Sequence, residues 1–141
     1  MADYDLSGIN LPYNPDAEQS VLGCILLDGG ALGEVVETLH PEHFYAQLNR
    51  DIFAVLTQMY MTNERIDVVT VLDACMRQGV FDSSDDAKKY LATVMEAVPS
   101  VSSIAKYAAI VTEKYLLRSL ITVSKEIIDA ASAGAENAND I

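Results

Sequence analysis

Residues 99–133 read PSVSSIAKYAAIVTEKYLLRSLITVSKEIIDAASA. After Pro99-Ser100 there is no further proline, and no glycine until Gly134, so the stretch predicts one long helix. At about 1.5 Å per residue it would span roughly 50 Å. That exceeds what a small head can cover, so part of the helix projects or is packed by something else. Its apolar pattern also changes phase. At about 100° per residue, Ile104, Tyr107, Ala108, Val111 and Tyr115 fall on one side, with Lys106 and Glu113 opposite. From Leu117 onward the apolar set is Leu117, Leu120, Ile121, Ile127, Ile128 and Ala131, on roughly the opposite side. Arg118, Lys125, Glu126 and Asp129 then occupy the face that was apolar before. Two readings remain open. The helix breaks near Tyr115 into two shorter ones, or a single helix packs its first half on its own head and its second half on something else.

Working outward toward the N-terminus, the chain reads as a compact all-α bundle. Residues 1–13 are polar, lack periodicity and suggest a flexible arm. Asn14-Pro15-Asp16 starts a helix, with Asn14 as the cap, Pro15 in the first position and acids in the first turn. Ala17, Val21, Cys24, Ile25 and Leu26-Leu27 give its stripe, and Gly29-Gly30 stops it. A second short helix is expected over Ala31 to Leu39, with Leu32, Val35, Val36 and Leu39 inward. His40 to Tyr45 is a tight connector in which Pro41 allows one turn. A third helix runs from about Gln47 to Met61. Asp67 caps a fourth over Val68 to Gln78, ended by Gly79. Ser83 or Ser84 caps a fifth, carrying Tyr90, Leu91, Val94 and Met95, and Pro99 closes it. The expected organisation is an arm (1–13), a head of five short helices (14–98), the long helix (99–133) and a terminal turn (134–141). No alternating strand pattern exceeds a few residues.

Charge narrows the function. The 141 residues carry a net charge of −12. Residues 1–98 hold five basic against sixteen acidic side chains, a net of −11, whereas residues 99–133 hold four against three. An acidic head is poorly suited to gripping a phosphate backbone, so no direct DNA binding is expected. Cys24 and Cys75 sit in apolar contexts and read as buried thiols of a reducing compartment. Met1 to Asn10 lacks the apolar core of a signal peptide, and no apolar run is long enough to span a bilayer; the expected location is cytoplasmic. Catalytic signatures are missing: there is no GxxxxGK[ST] or GxGxxG loop and no serine elbow. His40 and His43 flank Glu42 and could mimic two metal ligands, but no third partner has ligand spacing. Tyr45, Tyr90, Tyr107 and Tyr115 have no cationic groove that would make them base-stacking platforms.

The segment Ala17-Glu18-Gln19-Ser20-Val21-Leu22-Gly23, after Pro12 and ahead of Leu27-Asp28, resembles the opening of the N-terminal domain of bacterial DnaB-type replicative DNA helicases. Phe44-Tyr45 with Ile52-Phe53 is similar to that family's F-Y-x(6)-I-F stretch, with Asn49 where a histidine is common. Ile66-Asp67-Val68-Val69-Thr70 resembles its I-D-x-x-T, and Tyr90-Leu91-Ala92 fits the next helix. Pro99-Ser100, Ile104, Tyr107-Ala108, Ile110-Val111, Arg118 and Leu120-Ile121 fit its P-x-x-x-N-I-x-x-Y-A-x-I-V signature, with Ser103 in place of the usual asparagine. These pieces fall in order across residues 11–133.

The resemblance implies a helical head followed by a helical hairpin, whose first arm is the long helix and whose second would begin near Ile141. In that family hairpins of neighbouring subunits pair, and the N-terminal domains form a collar, a trimer of dimers on a hexamer. The collar recruits primase, and in some bacteria a helicase loader. It further implies a fragment without a catalytic site, the ATP- and Mg-dependent RecA-like motor lying further along the parent chain. The interface residues expected are Leu117, Leu120, Ile121, Ile127 and Ile128. The expected partner contacts are Asp16, Tyr90, Ile121 and Ile127. Two alternatives stand beside this reading. One is the helicase-binding C-terminal domain of a primase, which has a similar helical fold. The other is a small acidic metal protein built on His40 and His43.

Overall fold

A computed structural model describes residues 9–139. Five α-helices follow one another: α1 (Pro15–Leu27), α2 (Gln47–Met61), α3 (Val68–Arg77), α4 (Ser84–Glu96) and α5 (Ile104–Asn139). Three short 3₁₀ segments, Gly29–Glu34, Pro41–His43 and Val101–Ser103, join them. Among the described residues there is no strand, and the all-α class read from the sequence holds.

The helix starts follow their caps. The Asn14 side chain accepts from the Ala17 amide at 3.0 Å, Asp67 from Thr70 at 2.9 Å and Ser83 from Asp86 at 3.1 Å. Each satisfies an amide that the first helical turn leaves without a partner. Thr70 returns the favour by accepting from the Asp67 amide, which closes a capping box. Gly79 ends α3 at φ +72, a conformation that favours glycine.

The centre of the molecule is α1. Nine of its thirteen residues are buried, so it is enclosed nearly all round rather than on one stripe. It packs chiefly on α4 and α5. Gly23 is what lets α4 come so close: a Cβ there would lie 2.1 Å from the Val94 carbonyl oxygen. Around α1, Phe44 and Phe53 pair at 4.9 Å between centroids, and Leu32, Leu39, Ile52, Leu56, Leu91 and Ile104 are fully enclosed. Cys24 and Cys75 are free, buried thiols, and burial pushes both up to about 11.

Four expectations need correction. Residues 31–39 form a 3₁₀ segment and turns rather than a second α-helix. The glycines at 29, 30 and 33 make a regular helix costly there, yet Leu32, Val35 and Leu39 still point inward. The long helix begins at Ile104, after a 3₁₀ turn. It also continues through Gly134 to Asn139, where a turn was expected; an isolated glycine costs a helix only about 1 kcal/mol, and residues 140 and 141 lie outside the described range. Finally, Pro12 and Tyr13 of the supposedly flexible arm are held against the head, Pro12 by Arg118 and Tyr13 by stacking on Tyr45, while residues 1–8 lie outside the described range. No single helix among the described residues is long and apolar enough to cross a membrane.

Candidate interaction surface

The α5 helix runs unbroken through Tyr115, so the single-helix reading holds. Its first half closes the head: Ile104, Ala108 and Val111 are buried, with Tyr107 and Tyr115 partly so. Beyond Arg118 the burial ends, and from Thr122 to Ala135 every side chain is exposed. Leu120 and Ile127 are 64% and 63% exposed, Leu117 39% and Ile128 48%, while Ile121 is half-buried. Leu116 and Val123, missed in the sequence reading, widen the same stripe at 56% and 50%. Leu120, Ile121, Ile128 and Ile9 line a small apolar groove of about 220 Å³ on this face.

Contiguous exposed apolar surface on this scale marks a site of association. Fully burying each Leu or Ile contributes about 1.5–3 kcal/mol, so the stripe has a strong drive to be covered. Lys125 and Asp129, four residues apart on α5, form no ion pair; the ion pairs among the described residues are Arg65–Asp67 and Arg77–Asp73, both on the head.

Where α5 leaves the head, Arg118 is buried and acts as a latch. Its Nη1 donates to the Pro12 carbonyl and its Nη2 to the His43 carbonyl, both at 2.9 Å. The guanidinium also lies over the Tyr45 and Tyr115 rings, 5.2 and 5.9 Å from their centroids, a cation–π arrangement. Tyr13 stacks on Tyr45 at 4.4 Å, so the arm, the His40–Tyr45 connector and α5 are tied at one point. Burial lowers the Arg118 pKa, with the Glu18 charge opposing, and the group stays a cation at any ordinary pH.

A second buried acid–amide cluster supports the first. Glu18, 2% exposed, accepts from the Tyr45 amide at 2.7 Å, the Ala46 amide at 3.3 Å and Asn49 Nδ2 at 2.9 Å. Ala46 is the N-cap residue of α2 and has no capping side chain of its own. Glu18 therefore caps α2 from another helix, placing a negative charge at the positive end of its dipole. The Tyr90 hydroxyl donates to Asn49 Oδ1 and completes the chain.

The four expected partner contacts do not converge. Asp16 is exposed in the first turn of α1. Tyr90 is half-buried on α4, near Phe81 and bonded to Asn49. Ile121 and Ile127 lie on the α5 stripe. His40 and His43 are close, at 5.3 Å between rings, but their geometry is that of a local turn. His43 Nδ1 accepts from the His40 amide, and His43 packs on Tyr115 at 4.7 Å. Among the described residues no three His, Cys, Asp or Glu side chains gather as metal ligands.

The sequence reading missed Glu18, Asn49 and Arg118 as buried polar anchors. One signal was available: Glu18 shares a helix face with Val21, Leu22 and Ile25, where a charge must be partnered.

The family described as DnaB-like helicase N terminal domain matches residues 10–113. The replicative DNA helicase DnaB of Mycobacterium leprae is 35% identical over 128 residues, covering 91% of this chain and 21% of that protein. The homologous helicases of Leifsonia xyli and Treponema pallidum are 34% and 32% identical, over 82% and 87% of this chain. The chain thus spans between a fifth and three tenths of the length of these relatives. The crystal structure of the N-terminal domain of DnaB helicase from Mycobacterium tuberculosis superposes with a TM-score of 0.84 at 35% identity, covering 90% of each chain.

Proposed function

The chain belongs to the family of DnaB-like helicase N-terminal domains, and on that premise we propose that it is a non-catalytic collar domain of a replicative DNA helicase. Its first task is subunit association. The observation that carries this reading is the apolar stripe of α5, on which Leu117, Leu120, Ile127 and Ile128 are exposed. In the parent protein the stripe packs on the second arm of a helical hairpin and on a neighbouring subunit, giving a dimer and, in the hexamer, a trimer of dimers. Its second task is to dock primase, and in some settings a helicase loader, through α5 residues Ile121 and Ile127 together with Asp16 and Tyr90. ATP and Mg belong to a RecA-like motor domain of the parent, which would supply the helicase activity. The acidic head leaves DNA contact to that part of the protein. Family membership sets aside the primase C-terminal domain as the identity of this chain.

Ile127→Asp tests the first task. Its side chain is 63% exposed, so the head keeps its fold, as read by an unchanged circular dichroism spectrum. A charge on the stripe is expected to shift the chain toward monomer in sedimentation velocity. A variant as associated as wild type at the same concentration refutes the assignment of this face. Primase binding to Asp16→Ala, Tyr90→Phe and Ile121→Ala, measured by surface plasmon resonance, tests the second task. Full retention of affinity by all three removes these contacts.

A further inference from the structure

The residues in front of α1 follow α5 outward from the head. Tyr13 stacks on Tyr45, the ring over which Arg118 lies, and the Pro12 carbonyl accepts from Arg118. Leu11 lines the cleft at the α5–head junction together with Ser119, Thr122 and Val123. Ile9 lines the next groove along, with Leu120, Ile121, Ser124, Lys125 and Ile128. The side chains laid on the protein are thus every second one, as in an extended segment resting on a surface. The two advances also agree. From Leu11 to Ile9 an extended chain moves about 7 Å. The α5 residues that meet them shift by roughly one helical turn, about 5.4 Å. Ile121, in the groove that Ile9 lines, is the outermost half-buried side chain of α5 among those described. Ile9 fills the groove only in part: it stays 43% exposed, and about 220 Å³ is open beside it.

We propose that residues 1–8 continue this course, so that the occupant of the α5 groove is the N-terminal arm of the same chain, with Leu6 filling the space beyond Ile9. Three observations select the chain's own arm. It is tethered: with Ile9 already at the groove, the preceding residues enter without the freedom a separate molecule must lose. Its reach fits. Leu6 lies three residues beyond Ile9, about 10 Å of extended chain or roughly seven residues of helix, which brings it level with Ile128 and Ala131. Gly8 has the backbone freedom to turn Leu6 onto the groove, where strict alternation would aim Ser7. Its charge fits as well: the segment carries Asp3 and Asp5, and Lys125 is the one charged residue of the groove lining. A partner approaching α5 then meets Leu116 and Ile127 directly, but must displace the arm to reach Leu120, Ile121 and Ile128. This cover within one chain does not depend on self-pairing of α5.

The experiment places a nitroxide on Ser7→Cys in the ¹⁵N-labelled 141-residue chain. Cys24 and Cys75 are buried, with thiols pushed up to about 11, so they stay protonated and react slowly with the labelling reagent; mass spectrometry confirms a single label. Spectra are recorded where sedimentation velocity finds monomer, with Ile127→Asp as the background if the wild-type chain stays associated. The amides of Lys125, Ile128 and Ala131 are expected to lose most of their intensity relative to the ascorbate-reduced sample. Those of Ala105 and Ala109, at the head end of α5, are expected to keep theirs. A mixture of spin-labelled ¹⁴N chain with unlabelled ¹⁵N chain is expected to show no loss. Leu6→Asp puts a charge where the groove is apolar and is expected to restore most of the intensity at Ile128, whereas Leu6→Ile is expected to keep the loss. Four results overturn the proposal: no selective loss on α5, a loss at Ala105 and Ala109 equal to that at Ile128, an equal loss in the mixed sample, which would place a second copy's arm in the groove, or undiminished loss in Leu6→Asp.

Discussion

Gly23→Ala adds one methyl group at the crossing of α1 and α4, and the structure says how badly it fits. The new Cβ would meet the Val94 carbonyl oxygen at 2.1 Å, Val98 Cγ2 at 2.4 Å and the Val94 carbonyl carbon at 2.9 Å. Ordinary contact begins at 3.4 Å, so the Val94 backbone must retreat by 3.4 − 2.1, or 1.3 Å. Val98 can rotate aside, but the Val94 carbonyl belongs to the α4 backbone and cannot yield alone. Moving α4 loosens Leu91 and Val94, both fully buried. Overpacking of this kind costs about 1–3 kcal/mol, and the rigid clashing atom favours the upper half. Alanine's better helix propensity returns about 1 kcal/mol. The expected net loss is about 1–2 kcal/mol, or a fall in Tm of roughly 3–6 °C for a domain of this size. Urea unfolding followed at 222 nm, at one protein concentration, measures it. Gly134→Ala is the matched control: Gly134 also sits inside a helix, but nothing lies within 4 Å of its Cβ position, and about 0.5–1 kcal/mol of stabilisation is expected. If Gly23→Ala is as stable as wild type, or if both substitutions stabilise alike, the close crossing of α1 and α4 is not what requires the glycine.

Glu18→Ala strands the Tyr45 and Ala46 amides and Asn49 Nδ2. The expected loss is about 3 kcal/mol or more, since each unmade buried bond costs about 1–3 kcal/mol. Glu18→Gln, which keeps an acceptor oxygen, should lose less, and equal stability of the two in urea titration would contradict the capping role. Burial, and then the His40 charge, lower the His43 pKa from its usual value, with Arg118 adding to the effect and Glu42 opposing. A lowered histidine pKa means the unfolded chain binds the proton more readily. Stability is therefore complete above pH 6.5, the ordinary histidine value, and declines as pH falls from there toward the folded-state value. His43→Asn, compared with wild type by thermal melts across that range, should flatten the decline; an unchanged slope would exclude His43 as its source.

Helix limits in the head were legible because they are local events. Asn14, Asp67 and Ser83 announce α1, α3 and α4 within three residues, and Gln47–Met61 follows from spacing alone. The reversal of the α5 stripe was equally readable, since Ile104–Tyr115 and Leu117–Ile128 differ in phase along one continuous helix. What escaped is what distant segments decide. Arg118 bonds to Pro12, 106 positions away, and to His43, 75 away, and no window of sequence contains both partners. The 3₁₀ segment at Gly29–Glu34 and the turns after it escaped because inward Leu32, Val35 and Leu39 fit a helix and a run of turns equally well. The centrality of α1 was hidden for another reason. Gly23 reads as an interruption of an apolar run until α4 is placed against it.

Because α5 is continuous, the part that seals the core and the part that stands free are one rigid rod. From Thr122 to Ala135 the free portion alone is about 20 Å long. A small tilt of α5 at its seat against α1 therefore becomes a displacement at the tip in proportion to that length, and a load on the tip is felt at Ile104 and Val111 with the same mechanical advantage. The Arg118 latch sits at the fulcrum. Whatever grips the outer half of this helix has leverage on the packing of the head.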